Sequence, residues 1–400
     1  MKSLLRRSMK PSPACASCFQ PEKLTNGVKV SFFLFAFCFY TSLAAKPTDS
    51  LVSVSLDVKI GQLLMVGFRG VSVSDSSPIV QDIRAGRVGG VILFDYDVLQ
   101  KQSGRNIQSP HQVKTLCGAL RSHSKLPLLI AVDEEGGKVN RLKPKYGFRQ
   151  TVSAAYLGRL NSLDSTRVHA SHTAELLSAL GINLNFAPVC DVAVNPQNPV
   201  IAKLERSFSR NPDSVALHAA AVVEAHRAKH VLTALKHFPG HGSSQSDSHL
   251  GFVDVSNTWH RVELAPFQTL ISQGNADLVM TAHIFNASWD TLPATLSRNV
   301  IQGLLREELK FDGVVCSDDM QMKAIAAHYG FEESLKLALN AGVDMLIFGN
   351  NLDYDEGIAE KACLLIKELV SRGAIKPERI DEAYQRVLRL KSRLVQSNSE

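Results

Sequence analysis

Aromatic residues are scarce in this chain, at 7% of 400 residues. A platform for single-stranded nucleic acid needs aromatic and basic side chains interleaved, and no stretch offers that. Positive charge is also scarcer than the formal +6 suggests. Residues 1–45 hold Lys2, Arg6, Arg7, Lys10, Lys23 and Lys29 against Glu22 alone, so residues 46–400 carry only +1. A nearly neutral body has no basic face for nucleic acid or an anionic membrane. Cysteine is sparse where it could build a framework. Cys15, Cys18 and Cys38 lie in the first 45 residues, and Cys117, Cys190, Cys316 and Cys363 are far apart without metal-type spacing. Three of these four lie in apolar runs, which reads as buried free thiols. The dinucleotide fingerprint G-x-G-x-x-G is missing, which argues against a dinucleotide cofactor.

Long apolar runs are missing too. Residues 31–45 hold an uncharged run of about 13–15 residues, short of the roughly 20 that span a bilayer. It follows a basic stretch and ends in small residues, Thr41-Ser42-Leu43-Ala44-Ala45. That order reads as an export signal cleaved near Ala44 or Ala45, with Met9 as an alternative start. The competing reading is an uncleaved anchor that tethers the chain to a membrane. A lipid-attachment box ahead of Cys38 fits poorly, because Phe37 stands where a small residue is needed. The expectation is therefore a leader over residues 1–45 and export to the periplasm or cell envelope. A non-functional leader would leave the chain in the cytoplasm.

What is present is an ordinary globular composition, 45% apolar and 20% charged. Eight short apolar runs recur at residues 63–68, 91–94, 126–133, 182–189, 231–237, 277–283, 313–318 and 343–348. They are continuous rather than alternating, as strands buried on both faces must be. Helical periodicity fills the gaps, for example over 168–180, 214–228, 262–273 and 334–341. Residues 377–391 place Ile380, Ala383, Val387 and Leu390 on one face, with Pro377 in the first turn. Strand and helix alternating eight times predicts a single (β/α)8 TIM-type barrel over residues 46–400. The step from the start of the third strand to the start of the fourth is about 55 residues, so extra loop material is expected there.

Polar residues stand where the apolar runs stop. They are Asp133-Glu134-Glu135-Gly136-Gly137, Asp191, Lys236-His237, His283 and Asp318-Asp319. Barrel enzymes build their sites at these C-terminal strand ends. Strand alternation lets only one of Asp318 and Asp319 face the barrel axis. An inward Asp in a polar pocket stays ionised and suits a nucleophile, with the other in a capping or supporting role; helix N-capping is the plainer role for either. Downstream of Lys236-His237-Phe238-Pro239-Gly240-His241-Gly242, a Ser-rich loop reaches Asp247-Ser248-His249. Gly240 and Gly242 would let that loop move. Asp247 lies two residues from His249, so a bent loop lets the carboxylate orient the imidazole and raise its pKa. His237, His241, Asp247, His249 and His283 are also zinc-ligand types. No pair has i, i+4 spacing on an expected helix, so no metal site is expected. Asp133, Arg141, Arg206, Lys236 and His237 together suit a polyol better than a phosphate.

These residues resemble a known family. Ala131-Val132-Asp133-Glu134-Glu135-Gly136-Gly137-Lys138-Val139-Asn140-Arg141-Leu142 resembles the D-x-E-G-G-R-V-x-R-L element of family-three glycoside hydrolases. Lys138 departs from the usual Arg. The Lys236 to Gly242 stretch with Asp247-Ser248-His249 resembles the β-N-acetylhexosaminidase branch, since the β-glucosidase branches lack that dyad. The resemblance covers roughly residues 57–391. It implies Asp318 as nucleophile, His249 as acid/base tuned by Asp247, and Asp133, Arg141, Arg206, Lys236 and His237 as holders of N-acetylglucosamine. It implies retention of configuration, no metal or organic cofactor, and a terminal N-acetylglucosamine removed from a glycan or muropeptide by a monomer. An imidazole repels an anionic acceptor less than a carboxylate does, so phosphate could replace water. Single-domain members of this branch are mostly cytosolic, which the leader contradicts. Two alternatives remain open: a catalytically inactive sugar-binding envelope protein, and a β-glucosidase or xylosidase of the same family.

Overall fold

Each of the eight apolar runs contains a strand of the computed structural model, which describes residues 54–395. The leader reading of residues 1–45 lies outside the described residues. The strands are β1 Leu64–Gly67, β2 Gly90–Ile92, β3 Leu129–Val132, β4 Leu184–Asn185, β5 Leu232–Phe238, β6 Leu278–Thr281, β7 Val314–Asp319 and β8 Met345–Phe348. All pairs are parallel, and β8 closes onto β1 through Leu64↔Leu346 and Val66↔Phe348. The result is a closed eight-stranded barrel ringed by helices, the predicted (β/α)8 architecture. β1, β3, β6 and β8 are buried along their whole length, which is why their sequences are continuously apolar.

The ladder ends where a side chain or a proline takes over. Beyond β2 the Phe94 N–H donates to the Asn106 side chain at 3.0 Å instead of to a strand. β4 is short because Pro188 has no N–H to give, and only an isolated bridge from Val189 to Lys236 resumes the pairing. The register slips between Leu235 and Phe238, at the point where Lys236 and His237 turn toward the barrel mouth.

The helices follow their signals. Ser109, Ser153, Ser162 and Asn211 cap helices Pro110–Ser122, Ala154–Leu160, Leu163–Leu180 and Pro212–Arg227 with side-chain hydrogen bonds. The helix expected over 262–273 opens as a 3-10 turn, Arg261–Leu264, and becomes α-helical only at Ala265–Ser272, with Pro266 in its first turn. The helix expected at 334–341 reaches back to Lys323 across a break at Gly330, whose φ is 63°. Neither Asp318 nor Asp319 caps it, because the capping position is Met322. The last helix, Pro377–Val395, buries Ile380, Ala383, Val387 and Leu390 as predicted. Its Lys391 is buried against Gln62 Oε1 at 2.6 Å and the Gly89 carbonyl at 2.7 Å. Burial without a carboxylate lowers that ammonium to about 7. At the same end of the barrel, Asp344 holds Arg306 and Arg379 at 2.7 Å each. This end is tied shut, and the opposite end is left for chemistry. Cys117, Cys190, Cys316 and Cys363 are buried free thiols. No helix of the described residues is long and apolar enough to cross a membrane.

The glycines after β5 are not hinges. Gly240 has a φ of 122°, and a Cβ there would meet the Glu263 Cβ at 2.6 Å. A Cβ on Gly242 would lie 1.7 Å from the Val192 carbonyl oxygen. Both are close-approach positions that anchor the loop's root, which corrects the expectation that they free it to move. Gly242→Ala is expected to lose about 1–3 kcal/mol of stability, read as a lower denaturant midpoint. An unshifted midpoint would show that Val192 yields easily.

Candidate active site

The C-terminal strand ends surround a cavity of about 470 Å³. Its lining includes all eight residues singled out by sequence: Asp133, Arg141, Arg206, Lys236, His237, Asp247, His249 and Asp318. They come from the ends of β3, β5 and β7 and from the loops after β3, β4 and β5.

A buried ion cluster forms the floor. The Lys236 ammonium, 2% exposed, lies 2.8 Å from Asp133 and 2.6 Å from Glu135. Glu135 also receives Arg206 bidentately, Nε at 2.8 Å and Nη2 at 2.7 Å. Burial alone would raise the Glu135 carboxyl, but the fields of Arg206 and Lys236 outweigh it and hold it at about 2. Asp133 is likewise held below its ordinary value, against burial, by Lys236 and Arg141. Arg141 reaches Asp133 at 3.2 Å. Donor counting shows what is left for a ligand. Lys236 has three N–H groups and gives two to carboxylates. Arg206 gives one Nη1 proton to the Val200 carbonyl and one Nη2 proton to His237. One proton on each cation therefore stays uncommitted.

His237 sits behind this floor with both ring nitrogens engaged. Its Nδ1 lies 2.7 Å from Asp191 Oδ2, and its Nε2 lies 3.1 Å from Arg206 Nη2. An arginine only donates, so Nε2 accepts and Nδ1–H donates to Asp191. Asp191, fully buried, also accepts the backbone N–H groups of His237 and His241 at 3.3 and 2.7 Å. His237 thus braces Arg206 and has no free ring proton for a sugar.

Asp318 and Asp319 divide as alternation demands. Asp319 accepts the N–H groups of Gln321 and Gly349, each at 3.0 Å, and so joins the loops after β7 and β8. Burial raises its carboxyl to about 6. Asp318 accepts the Asp319 N–H at 2.8 Å and otherwise faces the cavity. Burial would raise Asp318, yet His283, His237 and His249 hold it below its ordinary value. It is an ionised carboxylate with free lone pairs. His283 is fixed by Thr295 at 2.8 Å and by the Asp319 carbonyl at 3.0 Å.

The dyad is local. Asp247 Oδ1 accepts both the His249 N–H and the His249 ring Nδ1–H, each at 2.8 Å. The imidazole is 52% exposed and the carboxylate 26%. Burial alone would lower His249, but the Asp247 hydrogen bond and the Asp318 field raise it. Nδ1 is committed to Asp247, so Nε2 is the nitrogen left to carry a mobile proton. Lys138 lies outside the floor and donates to the Lys203 carbonyl at 2.9 Å. Among the described residues no group of three or more His, Cys, Asp or Glu is placed to hold a metal ion.

Sequence reasoning left Glu135, Asp191 and His241 without roles, although their motifs were in view. Glu135 is the hub of the floor, and Asp191 holds the root of the β5 loop. His241 is buried against His237 with ring centroids 5.9 Å apart, and burial lowers it to about 4.

A parallel barrel with a carboxylate and a carboxylate-held imidazole on one polar cavity has the layout of a barrel enzyme for polar substrates. The chain belongs to glycoside hydrolase family 3. The description "Glycosyl hydrolase family 3 N terminal domain" matches residues 55–390. The chain is 32% identical over 397 residues to "Beta-hexosaminidase A" of Pseudoalteromonas piscicida, covering 89% of this chain and 64% of that protein. It is 37% identical over 273 residues to "Beta-hexosaminidase" of Tolumonas auensis, covering 67% of this chain and 78% of that protein. Among solved structures it is similar to a glycoside hydrolase family 3 β-N-acetylglucosaminidase from a Paenibacillus species. That match has TM-score 0.78 and 37% identity, over 86% of this chain and 64% of the other. A β-N-acetylhexosaminidase from Beutenbergia cavernae matches with TM-score 0.75 and 30% identity, over 85% of this chain and 99% of the other. The chain therefore spans just under two thirds of the Pseudoalteromonas and Paenibacillus proteins.

Glu135→Gln would leave Lys236 and Arg206 facing a neutral amide. Removing one partner of a buried ion cluster costs about 3–5 kcal/mol, so this variant should unfold at clearly lower denaturant. A loss under about 1 kcal/mol would mean that water or rearrangement solvates the cations, as at a surface pair.

Proposed function

We propose that this chain is a retaining exo-β-N-acetylglucosaminidase that removes terminal N-acetylglucosamine from peptidoglycan fragments. One observation carries the reading: an ionised Asp318 and an Asp247-bound His249 line the same cavity above a floor of hydroxyl-binding groups. The names of the relatives support the substrate class. Export to the periplasm or cell envelope remains part of the proposal and rests on the leader.

The chemistry is a double displacement. An Asp318 oxygen attacks the anomeric carbon as the glycosidic C–O bond breaks, and the leaving oxygen takes the His249 Nε2 proton. The sugar is then an ester of Asp318. Water gives a proton to His249 Nε2 as its oxygen attacks the anomeric carbon, and the ester bond breaks to free Asp318. Most retaining glycosidases use a second carboxyl for the proton, and here an imidazole on a loop takes that role. Asp133, Lys236, Arg141 and Arg206 hold the sugar hydroxyls, and His237 acts by fixing Arg206.

The test is hydrolysis of a chromogenic N-acetyl-β-glucosaminide by residues 46–400, beside a β-glucoside. Wild type should cleave only the N-acetyl substrate. Asp318→Asn should lose about 10³-fold or more in kcat, and His249→Ala about 10²–10⁴-fold. Cleavage of the β-glucoside instead would favour the β-glucosidase reading, and a folded protein inert on both would favour a sugar-binding one. Product analysis with added phosphate tests the acceptor, and an unchanged spectrum leaves water in that role.

The pH profile follows from the two shifts. Asp318 must be ionised and its pKa lies below its ordinary value, so the acid limb falls at low pH. His249 must be protonated and its pKa is raised, so activity persists to higher pH than a free imidazole allows. Asp247→Asn removes the main raising partner and should move only the alkaline limb, toward lower pH. An alkaline limb that stays put would take the acid role away from His249.

A further inference from the structure

After β2 the chain makes an antiparallel hairpin, Tyr96–Asp97 with Gln102–Ser103. Its anchorage is far stronger than a surface turn requires. Asp97 is buried and receives Arg69 Nε at 2.7 Å, Arg105 Nη1 at 2.5 Å and the Gln100 N–H at 2.9 Å. Arg105 is itself buried and donates to the Asn350 carbonyl at 2.7 Å. Asn351 grips the hairpin from the β8 loop, accepting the Val98 N–H and donating to the Tyr96 carbonyl at 3.0 Å each. Buried charge costs desolvation that only good pairing offsets, so a cluster of this kind fixes geometry more than it adds stability.

The outer face of this fixed hairpin is apolar and open to water. Tyr96 is 39% exposed, Val98 44% and Leu99 50%. Tyr96 and Val98 line the same cavity as Asp318, and Leu204 and Leu352 add to its apolar wall. The charged floor of Asp133, Glu135 and Lys236 is buried, while Tyr96 and Val98 stand at the solvent end. A sugar cleaved at the floor sends its leaving group toward the cavity mouth, where this apolar wall stands. Rigid aromatic side chains bind at small entropic cost, and exposed apolar groups on an anchored loop mark a contact surface.

We propose that the 96–103 hairpin is a preformed platform for the leaving-group side of the substrate. It takes the apolar C–H face of a second pyranose ring against Tyr96 and Val98. The proposal rests on the hexosaminidase reading for what occupies the floor.

The experiment compares kcat/KM on GlcNAc-β-(1→4)-GlcNAc with kcat/KM on N-acetyl-β-glucosaminyl fluoride, whose leaving group cannot reach the hairpin. Tyr96→Ala should lower the disaccharide-to-fluoride ratio about tenfold, and Tyr96→Phe should keep it near wild type. Melting temperatures confirm that both variants fold. An unchanged ratio in Tyr96→Ala, or a Tyr96→Phe ratio no better than that of Tyr96→Ala, overturns the platform. If wild type cleaves neither substrate, the hydrolase reading fails, and calorimetry decides the hairpin separately. Tyr96→Ala must then weaken the disaccharide and not N-acetylglucosamine, and equal weakening of both overturns the platform.

Discussion

The site depends on one buried ammonium. Lys236 lies 2% exposed between Asp133 and Glu135 and is the one cation that both carboxylates share. A bare charge in a low-dielectric interior is prohibitive, and a pair can still cost more than it returns. The cluster lowers that cost by sharing. Glu135 serves Lys236 and Arg206 together, Asp133 serves Lys236 and Arg141, and Arg206 is braced by His237 on Asp191. Removing one member exposes the rest, so the floor behaves as a unit. Its value is preorganisation: the groups proposed to meet the sugar are already desolvated and already aimed.

The pair proposed to be catalytic is divided between rigid and exposed parts. Asp318 is on a barrel strand whose neighbour Asp319 is tied to two loops. His249 is on a loop whose root is packed through Gly240 and Gly242 and whose tip is open, with Leu250 75% exposed. In the proposed reaction the nucleophile needs position within fractions of an ångström, whereas the proton carrier must serve the leaving group and then water. Burial alone would push both groups toward neutrality. His283 and the other imidazoles lower Asp318, and the Asp247 hydrogen bond with the Asp318 field raises His249, so both stay charged over the same pH range.

How legible this was follows from the range of each interaction. The strands were legible because parallel strands are buried on both faces, so β1 and β8 read as unbroken apolar runs. Their ends were less so. β4 spans two residues of a longer run because Pro188 breaks the ladder. The dyad was legible because Asp247 and His249 bond across two residues. Glu135 had no visible role because its partners are Arg206 and Lys236, brought near only by barrel closure. Gly240 and Gly242 were misread for the same reason, since the atoms that confine them belong to Glu263 and Val192. The hairpin at 96–103 carries no turn motif strong enough to announce it, and its anchor Asn351 comes from the far end of the chain.

The balance of charge in the cavity bears on the ligand. Its lining holds the carboxyl groups of Asp95, Asp133, Glu135, Asp247, Asp318 and Asp319 against the cations of Arg141, Lys143, Arg206 and Lys236. Such a lining has no excess of cations to draw in an anion, yet it is dense in groups that donate to or accept from hydroxyls. A phosphate or carboxylate ligand would find its cations already claimed by carboxylates at 2.6–3.2 Å. A neutral, hydroxyl-rich ring meets no such competition, because it needs only the one uncommitted proton on each of Lys236 and Arg206 and the spare lone pairs of Asp133. In the proposed reaction, positive charge develops at the anomeric carbon. Asp318, unlike Asp133 and Glu135, has no cation in hydrogen-bond contact, so on that reading its charge is free to meet the developing positive charge.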